Sequence, residues 1–90
     1  MKSIRVLISG AVQGVFFRRH IEEQAKKIGV NGFVRNLEDG RVEVVIEGTE
    51  DKVKKMLDVC KQGTSNAIVR NVEVNEIKYN GFKDFRIIRI

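Results

Sequence analysis

The spacing of apolar residues changes abruptly near the N-terminus, and that change limits the architectures open to the chain. Ile4, Val6 and Ile8 alternate with Arg5, Leu7 and Ser9, the period of two expected of a strand with one face in a core. This strand is expected to stop at Gly10. From Phe17 the spacing becomes helical, with Phe17, Ile21, Ala25 and Ile28 on one stripe. Glu22 and Glu23 stand four residues before Lys26 and Lys27 on the outer face, and Gly29 is placed to end the helix in a left-handed conformation. A strand that passes into an amphipathic helix through a short loop must lay the helix over its own sheet, so a layered fold follows.

The remaining segments extend this pattern. Val30 to Leu37 and Arg41 to Glu47 read as antiparallel strands around Asp39-Gly40, a dipeptide that accepts the backbone angles of a tight hairpin. Thr49 caps a second helix whose first turn carries Glu50 and Asp51, with Val53, Met56, Leu57 and Cys60 on one face and Gly63 as its stop. A polar loop from Thr64 to Asn66 leads to a strand containing Val72 and Val74. Alternation slips there before Ile77 and Tyr79, which predicts a bulge near Asn75. After a turn at Asn80-Gly81, Phe85 to Ile90 forms a last short strand. The order is βαββαβ plus an additional C-terminal strand: an α+β, ferredoxin-like sandwich with two helices on one face of a mainly antiparallel sheet.

Ninety residues with 42% hydrophobic and 32% charged side chains fit one compact domain spanning 1–90. Arg5 breaks the apolar stretch at the N-terminus, so neither a signal peptide nor a spanning helix can be drawn there. The one cysteine, Cys60, agrees with a reducing compartment, and a cytoplasmic monomer with no membrane partner is expected. Lys and Arg outnumber Asp and Glu by 17 to 12, which favours anionic partners without distinguishing a small phosphate from RNA.

The segment Gly10-Ala11-Val12-Gln13-Gly14-Val15-Phe16-Phe17-Arg18 narrows this choice. A short glycine-bearing loop at a helix start can turn its backbone N–H groups inward, and with the positive end of the helix it makes a cradle for a phosphate. Arg18 can add a two-pronged charged grip. The Lys-Ser/Thr ending of a nucleotide P-loop is missing, as is the three-glycine dinucleotide fingerprint, so one phosphoryl group is the natural ligand.

Gly10 to Arg18 resembles the acylphosphatase signature, glycine, any residue, Val-Gln-Gly-Val, any residue, Phe, Arg. The run Gly32-Phe33-Val34-Arg35-Asn36-Leu37-Glu38-Asp39-Gly40-Arg41-Val42-Glu43-Val44 is similar to the second segment of that family. The resemblance implies hydrolysis of acyl phosphates to a carboxylate and inorganic phosphate, without a metal or other cofactor. It implies that Arg18 binds the phosphate and Asn36 holds the attacking water, while Gln13, Gly14, Val15, Phe16 and Phe17 supply backbone donors. Phe16 stands at a variable position of the signature, and the loop from Gly63 to Ile68 lacks the prolines common among relatives.

On residue chemistry alone, Arg18 reads as a surface ion pair and Asn36 as a turn residue. Strand parity adds a second reading of Asn36: it follows Val34 by two, so both face inward if Val34 is in the core. His20 lies off the apolar stripe without spaced metal partners and is expected to face solvent. Cys60 reads as core, and the carboxylates as belonging to helix faces and strand exteriors, leaving no acid–base pair and no metal site. Two rival functions fit less well. The aromatic-rich Arg/Lys-Gly-Phe/Tyr signature of RNA-recognition modules is absent, although Phe33 and Arg35 share a face, so no nucleic-acid partner is expected. An accessory domain of a larger carbamoyl-transfer protein would call for a companion catalytic domain.

Overall fold

A computed structural model describes residues 1–89. Its elements are β1 (Lys2–Ala11), α1 (Val15–Ile28), β2 (Asn31–Asn36), β3 (Val42–Gly48), α2 (Glu50–Gln62), β4 (Ile68–Glu76) and β5 (Phe85–Ile87). The sheet order is β4-β1-β3-β2-β5, with β5 parallel to β2 and the other pairs antiparallel. Among the described residues no helix is long and apolar enough to cross a membrane.

Period-two patterning places whole rows of side chains on the helix-covered face. Ile4 pairs with Ile46, Val6 with Val44 and Ile8 with Val42 across β1 and β3, and Val34 continues the row of Val44 into β2. All are buried against Phe17, Ile21 and Ala25 of α1 and Val53, Met56 and Cys60 of α2. Phe17 fixes the first turn of α1 to this core; burying such a side chain stabilises by roughly 1.5–3 kcal/mol.

Boundaries depart from the sequence pattern in ways that matter for the site. β1 continues through Gly10 to Ala11, and α1 begins at Val15, earlier than the apolar stripe indicates. The bulge is not near Asn75. Ser9 pairs with Asn71 and Gly10 with Val69, leaving Arg70 as the extra residue opposite β1. The slip at Ile77 marks instead the chain leaving the sheet, its N–H donating to Ser3 O at 3.0 Å. Gly10 permits the bulge, since a Cβ there would lie 2.2 Å from Ile68 O. Only Phe85 to Ile87 of the last segment pair as a strand; Ile88 and Arg89 continue beyond it, and Ile90 lies outside the described residues.

Two carboxylates lie on a strand exterior, as expected, yet are buried there. Glu43 and Glu47 point to the face of β3 away from the helices, yet are only 3% and 2% exposed. Burial would push the Glu43 carboxyl up, but charged hydrogen bonds from Arg5 and Arg35 outweigh it and hold the group below its ordinary range. Burial opposes ionisation of Glu47 in the same way. There the N–H groups of Asn80 (2.6 Å), Phe82 (2.9 Å) and Gly81 (3.0 Å), with the Ser3 hydroxyl at 3.0 Å, win and lower its pKa. Glu47 thereby clasps the turn that delivers β5, which Gly32 N to Asp84 O (2.8 Å) and Asn31 Nδ2 to Phe82 O (2.9 Å) lock against β2.

Candidate active site

The loop after β1 is pinned at two points. The Val12 side chain is fully buried in the core, and the Gln13 side-chain amide donates to Gly40 O in the β2–β3 turn. That turn is itself closed by Leu37 N to Arg41 O at 2.8 Å and by Asp39, whose carboxylate accepts from Arg41 N at 3.0 Å. Gly14 then takes φ 94°, ψ −177°, a conformation open to glycine, and hands the chain to α1.

The two helix starts differ. At α2, Thr49 Oγ1 accepts from Lys52 N, and Glu50 and Asp51 stand in the first turn. At α1 no side chain caps the end and no acidic residue occupies the first turn. Helix-start N–H groups have no intrahelical partner, so this end keeps both free donors and its positive partial charge. Arg18, one turn in, is held by its Nε donating to Gly14 O at 3.2 Å, which leaves the terminal nitrogens of the guanidinium available.

Asn36 is the last residue of β2, opposite Val42 and on the same face as the buried Val34. Parity thus turns it inward at the end of the core. Its Oδ1 is buried and has no hydrogen-bond partner among the described residues, an uncommon state for a polar atom. Arg18 and Asn36 line one cavity of about 320 Å³ together with Ile88 and Arg89. Both charged residues on its wall are arginines. A second hollow of similar volume, between α2 and β4, mixes Lys2 and Lys54 with Glu50 and Glu76, so its charges answer each other.

Of the residues singled out in the sequence, Arg18 and Asn36 are therefore brought together. Gln13 and Gly14 lie at the turn into α1, with the Gln13 side chain spent on the hairpin. The Phe17 side chain belongs to the core, whereas Val15 and Phe16 face outward, Phe16 with 73% exposure; none of these side chains lines the cavity. His20 is half-buried on α1 and does not line the cavity. Burial pushes the Cys60 thiol up to about 12 in α2. Among the described residues no three His, Cys, Asp or Glu side chains converge as they would around a metal ion. Sequence reasoning missed Ile88 and Arg89, because only the parallel pairing of β5 with β2 brings them to Asn36. No local motif announces that pairing.

Comparison with known proteins gives a consistent answer. A family model described as Acylphosphatase matches residues 4–87. A protein named Acylphosphatase from Syntrophus aciditrophicus is 51% identical over 89 residues, covering 98% of this chain and 93% of its own. The acylphosphatase crystal structure from Bacillus subtilis aligns with a TM-score of 0.94 at 33% identity, over 99% of this chain and 100% of its own. An acylphosphatase structure from Coxiella burnetii gives 0.91 at 37% identity, over 97% and 92%. Matched along nearly its whole described length in both sequence and fold, the chain belongs to the acylphosphatase family.

Proposed function

We propose that this acylphosphatase acts through Arg18 and Asn36. The substrate is an acyl phosphate and the products are a carboxylate and inorganic phosphate. The phosphoryl group sits on the uncapped start of α1, gripped by the Arg18 guanidinium and the amides of Gln13 to Phe17. Asn36 orients a water, its Oδ1 accepting one water hydrogen. The water oxygen bonds to phosphorus as the bond from phosphorus to the acyl oxygen breaks. The electron pair leaves on the carboxylate, and the spare proton ends on the phosphate.

This chemistry suits a site without an acid–base pair. A carboxylate departs without being protonated, so neutralising the phosphoryl oxygens and placing the water are the tasks left. The observation that carries the reading is the buried, unpartnered Oδ1 of Asn36 in the same cavity as Arg18. We also take the chain to work as a single domain spanning 1–90, as a monomer in the cytoplasm, on the strength of its one hydrophobic core and its single buried cysteine.

Hydrolysis of benzoyl phosphate in excess EDTA tests the mechanism, with a simple aryl phosphate monoester as control. Wild type is expected to turn over the acyl phosphate alone, and Arg18→Ala and Asn36→Ala to lose about 10²-fold or more in kcat/KM while keeping the wild-type circular dichroism. Full activity in either folded variant would remove that residue from the mechanism.

A further inference from the structure

The cavity is larger than the reaction centre needs. A volume of about 320 Å³ has room for on the order of ten water molecules, well beyond the five heavy atoms of a phosphoryl group. The remainder is open to the acyl part of the substrate. Besides Arg18 and Asn36, its lining is Ile88 and Arg89, which arrive from the segment beyond β5, on the outer side of β2. The amides proposed to hold the phosphoryl group arrive on the loop from β1.

Arg89 is the feature that an unsubstituted acyl group leaves unexplained. Every salt bridge among the described residues has its basic partner elsewhere: Lys2, Arg5, Lys26, Arg35, Arg41 or Arg86. A guanidinium presents a planar fork suited to a carboxylate or phosphate. Among the described residues no acid lines the cavity to compete for it.

Resting on the acylphosphatase mechanism above, we propose that Arg89 is a specificity residue which pairs with a second anionic group on the acyl moiety. The preferred substrates are then acyl phosphates whose acyl part carries a carboxylate or a further phosphate. Ile88 packs against the carbon chain between the two charges. Arg18 holds the reacting end and Arg89 the remote end.

Stable analogues separate this proposal from the mechanism it rests on. Pentylphosphonate and 5-phosphonopentanoate share a phosphonate and a four-methylene spacer, and differ in a terminal methyl or carboxylate. Calorimetric titration at low ionic strength should show wild type binding the carboxylate analogue tighter by about 3- to 5-fold, the range of a part-exposed charge pair, with the margin shrinking as salt is added. Arg89→Met should abolish that margin while leaving pentylphosphonate affinity within about two-fold of wild type, and Arg89→Lys should restore part of it. The proposal is overturned if wild type shows no margin, or if Arg89→Met weakens both analogues equally, since Arg89 then acts on the phosphoryl end or only on the fold. Failure of the acylphosphatase mechanism reads out separately, as absent benzoyl phosphate turnover in wild type.

Discussion

An unpartnered buried oxygen destabilises the protein that carries it, and Asn36 Oδ1 is such an atom. The catalytic role proposed for this residue and the stability of the fold therefore pull apart. Asn36→Ala is expected to abolish most activity while leaving the urea midpoint unchanged or raising it by up to about 1 kcal/mol of stability; a loss of stability would mean that the amide is a structural group. Cys60 makes the opposite case. Fully buried, with its thiol pushed up to about 12, it should resist a thiol-specific disulfide reagent in the native protein and react at once in denaturant. Both residues were legible in the sequence: Asn36 through parity with Val34, and Cys60 through the apolar stripe of α2. The place of Arg89 was not, because only the pairing of β5 with β2 brings it beside Asn36.

Helices and strands here carry information in their ends. Removing the Thr49 hydroxyl from the start of α2 should cost about 1 kcal/mol without touching turnover, since that end is far from Arg18 and Asn36. Placing an acid in the first turn of α1, as in Val15→Glu, should favour the helix by about 0.3–1 kcal/mol. It should also raise KM for benzoyl phosphate, because the carboxylate answers the same partial charge on which the proposed site seats the phosphoryl group. Thermal unfolding and steady-state kinetics on the two variants separate these effects. Gly32 sets a stricter limit. Its φ is +137°, and a Cβ would stand 1.8 Å from Val45 O, so Gly32→Ala should displace β2 from β3 and yield little folded protein. Element identity was readable from the period of apolar residues, and so were the helix ends at Gly29, Thr49 and Gly63, but the start of α1 and the bulge were not. The start of α1 at Val15 is set by loop anchoring, and the bulge at Arg70 by the close approach that Gly10 allows.

Across the whole molecule, the open face of the sheet is organised around two buried carboxylates. Glu43 and Glu47 both titrate below the ordinary carboxylate value of 4.5. The unfolded chain therefore takes up their protons first as pH falls. Stability from these groups is present in full above that value and is lost as pH drops through their lowered native values. Urea midpoints should be flat above about pH 6 and fall in acid, and Glu47→Gln should flatten the fall while lowering the plateau. An unchanged acid slope in that variant would sink this account. Alternation placed both residues on the exterior of β3, correctly as to face; their burial depends on Arg5, Arg35 and the turn after β4, which pattern reading does not join.

The parallel pairing of β5 with β2 has one more consequence. It makes the cavity a joint product of segments distant in sequence, Arg18 and Asn36 on one side and Ile88 and Arg89 on the other. Because β5 is an edge strand hydrogen-bonded to β2 alone, loosening that one pairing would part Ile88 and Arg89 from Arg18 and Asn36 while β4, β1, β3 and β2 stay joined, so the cavity can open without the rest of the sheet coming apart.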